Sequence, residues 1–78
     1  MLTSDQIRAA RALVRWSARE LADKAGISLP TVQRMEAATG VPGVMLETMA
    51  ATKAALEAAG VLFIDQNGEG PGVRLRKE

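Results

Sequence analysis

Two helix starts lie so close together in this chain that neither helix can reach a length stable by itself. Ser17-Ala18-Arg19-Glu20 has the form of a capping box, with Trp16 before the cap and Leu21 placed to staple against it. Ser28 offers a second cap hydroxyl, and Pro30 is tolerable in a first turn, where backbone N–H groups lack intrahelical partners. Between them Gly26 suits a left-handed stop. Barely two turns fit before that stop, and helices so short are marginal in water, so both must be held by neighbours. Leu21, Ala22 and Ala25 give the first its apolar face, and Ile27, Val32 and Met35 seat the second.

From Arg19 to Glu36 this is the logic of a helix-turn-helix unit: small alanines for close approach, Gly26 for the turn, Ile27 to plug the corner. With its inward face committed, the second helix presents Leu29, Pro30, Gln33 and Arg34 outward. Its first turn also directs unpaired N–H groups and the positive end of the helix dipole at whatever it meets. A helical hairpin buried in a bundle is the alternative for such a segment, and a solvated surface is the alternative for Gln33 and Arg34.

The flanks extend the helical pattern. Thr3 and Gln6 form a capping box, Leu2 and Ile7 a staple, and Ile7, Ala10, Leu13 and Val14 recur at helical spacing, with Gln6, Arg8 and Arg15 elsewhere on the wheel, to an end near Arg15. Gly40, Pro42 and Gly43 mark a loop. A fourth, alanine-rich helix is predicted from about Met45 to Ala59, with Met45, Leu46, Met49 and Leu56 on one side and Gly60 as its C-terminal cap. Then the period changes. Val61-Leu62-Phe63-Ile64 and Val73-Arg74-Leu75-Arg76 read as the strands of a hairpin with a long glycine-rich connection, Asp65 to Gly72. The fold class is therefore mainly α: four short helices followed by a C-terminal β-hairpin. Residues 1–60 form the helical domain. Residues 61–78 form the hairpin, which packs on the helices or joins a dimer interface, because a lone two-stranded hairpin is marginal.

Composition removes most chemistry. The 78 residues contain no cysteine and no histidine, which excludes disulfides, thiol chemistry and the commonest general base and metal ligand. Glu20 and Asp23 share a helix face but suit capping and solubility better than acid/base work, and no serine or threonine has a histidine to activate it. The sequence predicts no enzyme, no cofactor and no metal. Gly68, Gly70 and Gly72 lack the Gly-Lys-Ser/Thr of a phosphate loop. The charged N-terminus and the lack of a long apolar run predict a cytoplasmic protein with no membrane partner.

A formal charge of +1 hides a polarity along the chain. Residues 1–37 carry six cations against four anions, residues 38–72 one against four, and the last six residues three against one. The basic part is the part with the outward-facing helix.

Trp16 through Glu36 resembles the Cro/C1-type (XRE) helix-turn-helix of bacterial and phage regulators; the resemblance covers roughly Gln6 to Ala59, with the helix-turn-helix spacing its specific part, and the tail from Gly60 to Glu78 is a weaker likeness. The resemblance implies a lambda-repressor-like bundle and a homodimer on a pseudo-palindromic, double-stranded DNA operator, with the 28–38 helix in the major groove. It implies base reading by Leu29, Pro30, Gln33 and Arg34, phosphate contacts at Ser17, Ser28 and Thr31, and a structural ion pair between Arg11 and Glu36. Where many relatives place a glutamine, this chain has Ala18, and Pro30 offers only apolar contacts. A sequence-specific regulator, most simply a repressor, is the leading expectation. A protein-binding module of the same shape, acting as an antiactivator of another transcriptional regulator, is the alternative.

Overall fold

A computed structural model describes residues 1–65 and 68–77. Gln66 and Asn67, in the expected glycine-rich connection, and Glu78 lie outside the described residues. The elements run α1 (Ser4–Leu13), α2 (Ala18–Ala25), α3 (Leu29–Ala37), α4 (Leu46–Ala58), β1 (Val61–Ile64) and β2 (Gly72–Leu75). The fold is mainly α, four helices followed by one antiparallel hairpin.

Local rules set the helix starts. Thr3 Oγ1 accepts from the Gln6 N–H while Gln6 Oε1 accepts from the Thr3 N–H, and Ser17 and Glu20 repeat the reciprocal arrangement. Ser28 caps α3 through the Thr31 N–H, and Gly26 closes α2 in the left-handed region at φ +70°. Helix α1 stops at Leu13, just short of the expected end. Arg15 takes φ +60°, and the Trp16 N–H returns to the Arg11 carbonyl at 3.1 Å, which turns the chain into α2.

Ile7, Ala10, Leu21, Ala22, Val32, Met35, Met49, Leu56 and Val61 form one core shared by all four helices and β1. Two expected helix faces need correction here. Gln6 is buried and Leu13 is exposed, because α1 turns its Gln6 side toward the hairpin. On α4 the inward row is Met49, Thr52 and Leu56, whereas Met45 and Leu46 are 67% and 74% exposed. Met45 stands at the N-cap, before the helix begins, and Leu46 lies off the inward row. Thr52 is tolerated inside because its hydroxyl donates to the Thr48 carbonyl at 2.8 Å. The C-cap of α4 is Ala59, with Gly60 one residue beyond at φ +105°.

Strand pairing runs Val61 with Leu75, Leu62 with Arg74, Phe63 with Val73 and Ile64 with Gly72. The second strand thus starts one residue earlier than the alternation of Val73 to Arg76 implies. Val61, Phe63 and Val73 turn onto the core. The loop end of the hairpin is fastened to α1 by the Gln6 amide, whose Nε2 donates to the Ile64 and Gly72 carbonyls, each at 3.1 Å.

Candidate nucleic-acid interface

The interface is built on α2 and α3. Val32 and Met35 are fully buried against Leu21 and Ala22, so the orientation of α3 is fixed from inside. A polar clamp fixes it from the side. Arg11 Nε and Nη2 donate to Glu36 Oε2 and Oε1 at 2.8 and 2.9 Å, a bidentate pair, and Arg11 Nη1 donates to the Trp16 carbonyl at 2.9 Å. One guanidinium thereby ties α1, the α1–α2 turn and the end of α3 together. Its hydrogen bonds to Glu36 raise the Arg11 pKa, against an opposing contribution from burial. The Arg8 guanidinium adds a contact with the Glu36 carbonyl while pairing with Asp5.

The outward face follows from that clamp. Pro30, Gln33 and Arg34 are exposed on α3. Leu29 differs from the expectation of a fully outward residue: it is half-buried and packs against the core, because the first turn of α3 leans on the bundle. Ser28, Thr31 and Arg34 form a chain along the same surface. The Ser28 and Thr31 hydroxyls lie 2.7 Å apart, and Arg34 Nη2 donates to Thr31 Oγ1 at 3.3 Å. That weak bond parks the guanidinium over the helix without burying it.

At the other edge, Ser17 is exposed and its backbone N–H already donates to Glu20 Oε1 at 2.9 Å. Its hydroxyl accepts from the Glu20 N–H, which leaves the hydroxyl proton to offer to an anion. Half-buried Trp16 packs on the core, with Lys24 Nζ 6.0 Å from its ring centre. It acts as an anchor for the turn.

The pairing of charges sorts the cations. Among the described residues, Arg8 and Arg11 pair with carboxylates, whereas Arg15, Arg19, Lys24 and Arg34 do not. Arg19 was not among the site residues expected from sequence. It is exposed in the first turn of α2, where a cation opposes the helix dipole. That unfavourable placement is the feature of the sequence that singles Arg19 out.

Residues 7–50, more than half of the chain, match the family model described as Helix-turn-helix. The chain belongs to the Cro/C1-type (XRE) helix-turn-helix family. No curated protein matches the sequence. The matched span of this helix-turn-helix protein runs from within α1 to the first turns of α4 and so contains both motif helices and both partners of the Arg11–Glu36 clamp. The family is one of DNA-binding regulators, and that is the class of this protein. No group of metal-ligating side chains occurs among the described residues, and no helix among them is long and apolar enough to cross a membrane.

Proposed function

We propose that the protein is a homodimeric repressor that occludes a promoter by binding a pseudo-palindromic operator with α3 in the major groove. The observation that carries this reading is the clamped α3, with its inner row buried and Pro30, Gln33 and Arg34 exposed together. In this reading Arg34 leaves Thr31 and grips guanine O6 and N7 with both prongs, and Gln33 pairs with adenine N6 and N7. Pro30 and the exposed part of Leu29 meet thymine methyl groups. Ser17, Ser28 and Thr31 hold phosphates with hydroxyl and amide donors, helped by Arg19. Arg11 and Glu36 touch no DNA and keep α3 at its angle. Two copies are required by economy, since one small module reads too few base pairs to find a site in a genome.

Retention of duplex fragments from the protein's own locus tests the reading, with a salt titration of the complex. DNA binding through this face must weaken steeply as salt rises, because each neutralised phosphate releases counterions. The antiactivator reading draws on one observation: the Glu20 carboxylate occupies the Ser17 amide, where a phosphate contact is expected. Failure to retain any fragment at low salt favours that reading over ours.

A further inference from the structure

Away from the interface, two exposed apolar surfaces remain among the described residues. One is a groove of about 540 Å³ lined by Leu13, Trp16 and Leu75 and edged by Arg76 and Lys77. The other gathers Met1, Val41 and Leu46, all exposed, along two adjoining grooves of about 300 and 350 Å³ that share Met1 and Asp65, with exposed Met45 next to Leu46 in the chain. A contact between identical copies about a two-fold axis must be self-complementary. The first groove fails that condition, because its edge carries cations and two copies would bring them together. The second surface carries both signs, with Glu47, Lys53 and Asp65 around the apolar side chains.

Helix α4 also breaks a rule that the other helices keep. Thr3, Ser17 and Ser28 each accept a capping hydrogen bond, whereas Met45 stands at the N-cap of α4 with no side-chain bond. An uncapped start made of exposed Met and Leu gives up local stability and solvation at once. Such exceptions to local consistency are expected where a surface has another task. The surface is held firmly, since the Ser4 N–H donates to the Gly40 carbonyl at 2.8 Å and Pro42 is buried.

We propose that the N-terminal half of α4 is the contact between two copies, an inference that rests on the homodimer reading above. Leu46, Ala50 and Lys53 recur at helical spacing along one exposed stripe. Two antiparallel α4 helices crossing at Ala50 set Glu47 opposite Lys53 of the second copy, and the symmetry repeats the pair. Ala50 lets the backbones approach, and Leu46 lies over Ala54 of the second copy. Met45 and Val41 cover the ends of the crossing.

Sedimentation equilibrium on the full chain tests this, with circular dichroism confirming that each variant is folded. The wild type is expected to dimerise. Glu47→Lys and Lys53→Glu each replace two attractions by two repulsions and weaken the dimer about tenfold, and the double swap restores it to within about threefold. Leu46→Glu weakens it about a hundredfold, because a carboxylate enters the dry centre of the contact. A dimeric wild type whose affinity none of these changes alters, or whose double swap fails to restore, places the contact elsewhere and leaves the homodimer reading standing. A wild type that stays monomeric at millimolar concentration overturns both.

Discussion

Arg11 and Glu36 fix the end of α3 through a bidentate pair. Their side chains are 26% and 11% exposed, so the pair is largely but not wholly removed from water. Glu36→Ala leaves the guanidinium with only the Trp16 carbonyl, and the expected cost is about 2–3 kcal/mol, below the roughly 3–5 kcal/mol of a fully buried pair. A urea midpoint measures it. The raised pKa of Arg11 gives the linkage its sign: the contribution is complete below the ordinary arginine range and lost only as pH rises through the raised value. The Arg11 part of stability is therefore flat from mildly acidic to mildly alkaline pH, and a loss confined to strongly alkaline solution is its signature. Glu20 makes a separate test. A glutamine keeps the capping acceptor for the Ser17 N–H but removes the negative charge beside the expected phosphate. Glu20→Gln should tighten DNA binding by about threefold to tenfold, on the order of one surface charge interaction, with unchanged helix content. Weaker binding by that variant in a titration would remove Ser17 from the phosphate contacts.

At the scale of elements, what was legible in the sequence was what is local. The Thr3–Gln6 and Ser17–Glu20 boxes span three residues and depend on little else, so the starts of α1 and α2 can be read from residue type alone. Gln6 shows the limit. Its box is local, but its amide also reaches Ile64 and Gly72, and no periodicity announces a partner that far along the chain. Helix α4 is unclear for another reason: alanine is nearly neutral on the wheel, so the choice of Thr52 as an inward residue follows from the Thr48 carbonyl that satisfies it. On α3, Pro30, Gln33 and Arg34 are legible as outward because Val32 and Met35 fix the inner row, whereas the half-burial of Leu29 is not, because its side chain is shared with the bundle. The Gln6 latch gives the element-scale prediction. Gln6→Ala removes three neutral hydrogen bonds to backbone groups and should cost about 2–3 kcal/mol. The loss should concentrate in the hairpin, so amide exchange of Leu62 and Arg74, a hydrogen-bonded pair of the ladder, accelerates more than that of Leu21 or Val32. Uniform acceleration across the helices would show that the hairpin and bundle open as one unit.

At the scale of the whole molecule, charge is arranged as the fold requires. The cations without carboxylate partners among the described residues include Arg15, Arg19, Lys24 and Arg34, on or beside the two motif helices, while the acidic middle of the chain supplies α4. If Arg19 of each of two copies neutralises one phosphate, the pair should contribute roughly −1.8 to the slope of log K against log salt. Arg19→Ala should make that slope shallower without changing which sequence is preferred. Base reading by the exposed face of α3 is tested by selecting bound duplexes from a random pool with the wild type and with Arg34→Ala. The wild type should enrich a two-fold symmetric sequence whose half-sites lie about 34–36 Å apart. Arg34→Ala should lose the preference at one position in each half-site, at a cost of about 1–3 kcal/mol, and keep the rest. Recovery of the same sequence with undiminished preference by both proteins, or no enrichment at low salt, would contradict the account.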